Sequence, residues 1–378
     1  MKISLIHWSP IELFPPAMNM ARVLVGQGGV AVTVHTTAGH PGHSGLSPFQ
    51  AAGVTVCRAP SPVERGSLDR ALAYGWFQAV TLVRLVLEHP SAVVYVEPSS
   101  AFPVWLYSWL RPQVPVFIHH HEYHSVDQFD RPGMRLIRWF HALEKKRLFP
   151  RARWVSHTNA QRWALFARDC PEVSLEARQI LPNYPPGSWS AGENTAWQSQ
   201  KGPFRFVYAG SLSLRDTFLQ PFVEWLLAQP EGSVQLDVFA YNLDDETRQF
   251  LQSVQGAVIR FFPKGVDYDA LPAVLRSYHA GVILYRAETL NYRYNETNKL
   301  FEYLACGLDV WFSDRLEGVR PYARDQVRPR IIECDFTAMD RRDWSGPLDR
   351  GARRPMAVEV RTAEVALEPL IKALGELR

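Results

Sequence analysis

The segment Thr297-Asn298-Lys299-Leu300-Phe301-Glu302-Tyr303-Leu304-Ala305-Cys306-Gly307 carries the groups a phosphate-bearing ligand needs. Thr297 suits a helix N-cap. Leu300, Phe301, Leu304 and Ala305 make one apolar helical face, and Gly307 is placed to end the helix. A helix start offers unpaired backbone N–H groups and a partial positive charge, which suit a diphosphate. Lys299 adds a full charge in the first turn. Glu302, one turn in, could accept hydrogen bonds from ribose hydroxyls. The same string also reads as an ordinary capped helix with a solvated lysine. A second cluster, His119-His120-His121-Glu122 with His124, carries donor atoms that suit a metal. Neighbours on a strand point to opposite faces, however, so few of these side chains can converge on one ion.

Both clusters need elements to hold them at a functional edge. Short apolar runs bounded by turn residues predict strands at Ile3–Ile6, Ala31–His35, Val54–Cys57, Ala92–Val96, Val114–His119 and Trp154–His157. After a stretch rich in Pro, Gly and Ser, further strands are expected at Phe204–Tyr208, Val234–Phe239, Val258–Phe261, Gly281–Tyr285, Asp309–Phe312 and Ile331–Cys334. Runs apolar on both faces, alternating with helical stretches, imply buried parallel strands in βαβ units. The expected architecture is therefore α/β, with two doubly wound Rossmann-like domains facing a central cleft. Residues 1–184 form the first domain, 185–203 a linker and 204–350 the second domain. Residues 351–378 carry a C-terminal helix that packs back across the domains, its apolar positions being Val360, Val365, Leu367, Leu370, Ile371 and Leu374. In such sheets ligands bind beyond the carboxyl ends of the strands. Both clusters follow strands in that sense.

Composition narrows the class. A chain of 378 residues with 47% hydrophobic content supports two cores. A net charge of +3 names no nucleic-acid partner. Cys57, Cys170, Cys306 and Cys334 lie far apart with no CxxC pair, which argues against a zinc module and a disulfide scaffold and fits a reducing compartment. The apolar N-terminal run breaks at Pro10, too short to cross a membrane.

The string from Asn298 to Gly307 resembles the donor-site helix of GT-B glycosyltransferases of the family 4 type, with its K-x-x-E-Y-x-A-x-G pattern. Phe206-Val207-Tyr208-Ala209-Gly210-Ser211 looks like the strand and small-residue turn that open the family's donor domain, and Phe262-Pro263-Lys264-Gly265-Val266 is similar to its glycine loop near the base. The resemblance implies a nucleoside-diphosphate sugar as co-substrate, held by Gly210, Ser211, Arg215, Tyr285, Asn298, Lys299 and Glu302. Lys299 would lie near the diphosphate and Glu302 on the ribose. The histidine cluster resembles the His-Glu or His-Asp of the acceptor domain, which implies that His121 and Glu122 are the catalytic pair. Leu181-Pro182-Asn183-Tyr184-Pro185 is similar to the family's N-x-P string before the interdomain crossing. One departure concerns the first of two glutamates that retaining members space eight positions apart: the position eight before Glu302 is Tyr294. The family usually needs no metal, and Asp267-Tyr268-Asp269 reads as the start of a helix rather than as a metal site. The implied activity is sugar transfer to a saccharide or to a polyprenol- or lipid-linked acceptor, in bacterial surface polysaccharide or glycolipid assembly. A nucleotide-sugar epimerase and a non-catalytic sugar-nucleotide-binding partner are the alternatives on the same fold.

Between Arg131 and Arg168 the chain carries ten Lys or Arg residues and one acid, Glu144, interleaved with Trp139, Phe140, Phe149, Trp154, Trp163 and Phe166. Cations among aromatics favour an anionic membrane surface. The expected location is cytoplasmic, peripheral on the inner face of the membrane, with no nucleic acid as partner.

Overall fold

Short runs of β-branched and aromatic residues form two sheets, each wholly parallel, in a computed structural model that describes residues 1–39, 46–60, 67–131, 133–199, 201–241, 243–349 and 361–377. The chain divides into two compact units. The first comprises residues 1–40, 48–183 and 363–378; the second comprises 184–362 with a short segment ending at Ser47.

The first unit is built on β1 (Lys2–His7), β2 (Ala31–Thr37), β3 (Val54–Ala59), β4 (Ala92–Val96), β5 (Val116–His120), β6 (Trp154–His157) and β7 (Arg178–Ile180). They lie in the order β3-β2-β1-β4-β5-β6-β7. Leu5, Val34, Val94, Tyr95, Phe117, Ile118 and Val155 are buried, as a sheet covered on both faces requires. The fifth strand starts two residues later than expected. Pro115 has no N–H to give to the ladder, and only its carbonyl is used, accepting from Val93 N at 3.1 Å. The edge strand β7 left no apolar run in the sequence, since it is short and half exposed.

The second unit is built on β8 (Phe204–Ala209), β9 (Val234–Phe239), β10 (Ile259–Phe262), β11 (Ala280–Ile283), β12 (Asp309–Ser313) and β13 (Ile331–Cys334), in the order β10-β9-β8-β11-β12-β13. One face packs Phe206, Phe222, Trp225, Trp311 and Trp344; the other packs Leu275, Leu300, Phe301, Tyr303 and Val310. Residues 185–203, read from their prolines and glycines as a linker, belong to this unit. Trp189 is buried in its second cluster, and the Trp197 indole donates to the Gly307 carbonyl at 3.0 Å.

The last described helix, Ala363–Gly375, groups with the first unit and packs on the helix Pro15–Val25. Leu367, Leu370 and Leu374 are buried, whereas Val365 is 58% exposed and so is not one of its core positions. Val360 lies outside the described residues.

The basic stretch folds into the helices Arg135–Leu143 and Ala160–Asp169, joined through a π-helical turn Glu144–Leu148 and the strand β6. Two of its charges are not at the surface. Arg162 is buried and donates to the carbonyl of His121 at 2.6 Å. Glu144, the lone acid, is fully buried; it accepts from the Tyr95 hydroxyl at 2.8 Å and lies 3.1 Å from His120 Nε2 and 3.2 Å from His141 Nδ1. Of the aromatics, Phe140, Phe149, Trp154 and Phe166 are core, while Trp139 is exposed.

Candidate functional site

In a doubly wound sheet the crevice opens where the strand order reverses. In the second unit that point lies between β8 and β11. Gly210 follows β8 with φ +118°, a conformation that strongly favours glycine, and its N–H still bonds to the Phe239 carbonyl at 2.9 Å. A β-carbon here would stand 2.9 Å from Lys299 Nζ, so the bare backbone leaves room for the lysine.

Lys299 reaches this point from the helix Asn298–Ala305. It is only 8% exposed. Its ammonium lies 5.4 Å from the ring centre of Tyr208 and 5.8 Å from that of Tyr285, within range of cation–π attraction. Burial works against its charge, but Tyr285, Tyr208, Tyr303 and Glu302 outweigh it and hold the ammonium well above the ordinary lysine range. Among the described residues it forms no hydrogen bond or ion pair. A desolvated cation with no anion within ion-pair distance is costly unless something else supplies one.

Glu302 sits one turn further along, 5% exposed, and accepts from Asn298 Nδ2 at 3.0 Å. Burial raises its carboxyl, with Lys299 and Asn298 pulling the other way. Thr297 occupies the N-cap position, but its side chain makes no cap bond, which leaves the first-turn N–H groups uncapped by it. Gly307, at φ +73°, closes the turn after the helix. Beneath Lys299, the Tyr303 ring lies so close to β11 that a β-carbon on Gly281 would come within 2.2 Å of it.

Ser211 and Arg215 lie exposed in the loop after β8. That loop is tied to the exit of β11: Arg286 N donates to the Asp216 carbonyl at 2.9 Å, Arg286 Nε to the Thr217 carbonyl at 2.9 Å, and Thr217 bridges Tyr285. Lys299, Gly210 and Tyr285 therefore meet, and Asn298 and Glu302 are joined on the helix; no contact brings the Arg215 side chain to them among the described residues. Tyr208, the other ring beside the ammonium, looks in the sequence like one more apolar strand position. In the glycine loop after β10, Gly265 has φ +67°, and a β-carbon there would meet the Tyr241 ring at 2.6 Å.

The first unit reverses between β1 and β4. Glu97 leaves β4 with φ +67° and ψ 152°, a region nearly reserved for glycine that costs on the order of 1–3 kcal/mol. Its Oε1 accepts from the backbone N–H of His121 at 2.6 Å and of Glu122 at 3.0 Å. Burial pushes its carboxyl up to about 7, opposed by His120 and reinforced by Glu122. His121 is buried beside His119, their rings 4.5 Å apart; its Nδ1 lies 3.4 Å from Asn183 Nδ2, and its Nε2 has no hydrogen-bond partner. Burial, aided by competition for protons with His119 and His7 and by the Arg162 and His120 charges, holds it well below the ordinary histidine range, so it is a neutral imidazole near neutral pH. Glu122 is 53% exposed, with Oε2 3.9 Å from His124 Nε2. His120 turns to the other face, toward Glu144. Strand alternation thus splits the histidines, and among the described residues this cluster brings no three donors to one point. Glu97 was missed in the sequence. Its only signal is its place, directly after the apolar run of β4 and before Pro98.

No family model matches the chain, and no curated protein matches it. Solved structures do. Sucrose-phosphate synthase from Thermosynechococcus elongatus is 14% identical with a TM-score of 0.63, covering 99% of this chain and 94% of its own. Anabaena HepE in complex with UDP-glucose is 10% identical with a TM-score of 0.64, covering 100% and 98%. A trehalose-phosphate synthase from Burkholderia xenovorans in complex with glucose-6-phosphate is 12% identical with a TM-score of 0.62, covering 100% and 97%. At these identities the likeness is one of fold, and the fold is that of GT-B glycosyltransferases.

Proposed function

We propose that this chain is a glycosyltransferase that takes a sugar from a nucleoside-diphosphate donor held on the second unit. The observation that carries the reading is Lys299: a buried ammonium without an anionic partner among the described residues, beside a glycine turn and the start of a helix at the sheet's reversal. A diphosphate supplies the missing anion. As the donor bond breaks, negative charge grows on the leaving diphosphate, and a preorganised cation with uncapped N–H groups stabilises it. Glu302, steadied by Asn298, takes the ribose hydroxyls, and Arg215 adds a mobile charge from its exposed loop. That HepE has been solved with UDP-glucose supports a UDP-sugar as the donor class.

The first unit supplies the acceptor-side groups. His121, neutral and with Nε2 unbonded, and Glu122, exposed, are the candidates to meet an acceptor hydroxyl. Glu97 fixes both through their backbone N–H groups. No metal is required on this reading, because Lys299 and the helix start do its work. The finer assignment is a transferase of the family 4 type, in polysaccharide or glycolipid assembly.

A lipid-linked acceptor finds support on the first unit's surface. Trp76 and Leu87 on the helix Ser67–Glu88, Trp109 and Leu110 on Ala101–Leu110, and Trp139 on Arg135–Leu143 are all exposed, on helices that pack side by side. The Arg147 guanidinium lies 6.0 Å from the Trp109 ring centre. Aromatics fringed by cations suit an anionic bilayer surface. No described helix is long and apolar enough to cross a membrane. The contact proposed here is peripheral, on the cytoplasmic face.

The test is a thermal-shift and calorimetric screen against nucleoside-diphosphate sugars without added metal, with Glu302→Ala and Lys299→Ala alongside. One donor should raise the wild-type melting temperature by mass action, and neither variant should respond. No response to any donor, or equal responses in all three proteins, would sink the assignment. Donor binding with no transfer to any acceptor would turn it to a non-catalytic binding partner.

A further inference from the structure

Away from the sites above, the first unit gathers a third set of donor atoms. His35 on β2 and Cys57 on β3 are register partners in adjacent parallel strands, so their side chains share a face. Glu88 ends the helix Ser67–Glu88, which packs on those two strands. The His35 imidazole, the Cys57 sulfur and a Glu88 carboxylate oxygen all lie within 4.8 Å of one another. His35 is 1% exposed, yet neither of its ring nitrogens has a hydrogen-bond partner. A buried polar atom left unpaired costs about 1–3 kcal/mol and calls for an explanation.

We propose that His35, Cys57 and Glu88 bind a divalent transition-metal ion of the zinc class. One spacing fits directly: ligands at about 2.0–2.3 Å from a tetrahedral ion stand roughly 3.3–3.6 Å apart, and His35 Nε2 lies 3.6 Å from Glu88 Oε2, too far for a hydrogen bond. The Cys57 sulfur lies within 4.8 Å of both. The donor set of imidazole nitrogen, thiolate sulfur and carboxylate oxygen selects zinc-like ions over magnesium or calcium, which take oxygen. Arg84 donates to the Cys57 sulfur from the same helix that carries Glu88. Binding releases the thiol proton to solvent. Three protein ligands leave a fourth position for water. The ion would clip the edge strand β3 and the end of a 22-residue helix to β2. This site shares no residue with the donor or acceptor groups and stands whether or not the chain transfers sugar.

The probe is cobalt(II) added to the full chain after chelation under reducing conditions. A tetrahedral site with one thiolate gives visible ligand-field bands and a near-ultraviolet sulfur-to-cobalt band, both displaced by zinc. The sulfur band should be lost in Cys57→Ser, and zinc should raise the melting temperature of wild type but not of Glu88→Gln. Because Glu88 is half-buried at a helix end, that variant keeps the fold if Cys57→Ser does not. No sulfur band in the wild type, or a band that survives in Cys57→Ser, overturns the proposal; so does the same zinc shift in Glu88→Gln as in wild type.

Discussion

Replacing Glu97 with glutamine removes the charge that β4 delivers to the sheet's reversal and keeps the oxygen that accepts from His121 and Glu122. The wild-type carboxyl, pushed up to about 7 from an ordinary 4.5, binds its proton more tightly in the folded chain than in the unfolded one. Below about pH 4.5 it is protonated in both states and costs nothing. As pH rises from about 4.5 to about 7 the unfolded chain ionises while the folded one holds its proton, and stability is lost. At about 1.4 kcal/mol per pH unit, the interval from about 4.5 to about 7 is worth at most about 3.5 kcal/mol. Glutamine cannot ionise, so the variant should gain on the wild type by up to that amount between about pH 4.5 and about pH 7, and no further above it. His120, which the Glu97 charge helps to hold protonated, titrates lower in the variant, so the comparison reads the two groups together. Urea unfolding followed by hydrogen exchange on β4 and β5 peptides isolates the first unit from the second. A difference that stays flat with pH would refute the reasoning. A wild type that gains on the variant as pH rises would show that the two backbone N–H groups and His120 more than offset the burial of the charge.

Three other outcomes are expected. Gly281→Ala should destabilise the second unit by about 1–3 kcal/mol, because the new β-carbon meets the Tyr303 ring; a melting temperature like that of wild type would contradict the packing described. Gly210→Ala should cost about 1–2 kcal/mol through its positive φ and, by moving Lys299, weaken donor binding about tenfold in calorimetry. His7 and His119 are held near 4 and near 3, mainly by burial, so the stability they contribute is complete above about pH 6.5 and lost as pH falls toward those values. Imidazole titration by NMR in the folded chain should show both rings neutral at about pH 5.

The strands were legible because each is a short apolar run with its own turn signals, and β4, β6, β9 and β13 fall where those runs do. The helix from Asn298 was legible for a different reason: cap, apolar face and terminal glycine all lie within one short segment. What the sequence concealed depends on folding from a distance. Glu97 is marked by a backbone angle that no residue type announces. Glu144 and Arg162 look like surface charges in a basic run, and both are buried by partners on other elements. His35, Cys57 and Glu88 come from three separate elements and meet only through the register of β2 with β3 and the length of the helix that follows. Spacing along the chain carries no trace of such a meeting.

The placement of the helix Ala363–Gly375 bears on how the molecule is made. A ribosome delivers residues in order, yet the first unit needs a segment from either side of the second. While residues 363–377 are still in the exit tunnel, Leu367, Leu370 and Leu374 are absent from its core, and the helix Pro15–Val25 lacks its neighbour. The second unit, nearly continuous in the chain, can finish first although most of it is synthesised later. The nascent first unit therefore waits with an apolar face uncovered, and that interval is when a chaperone would find it.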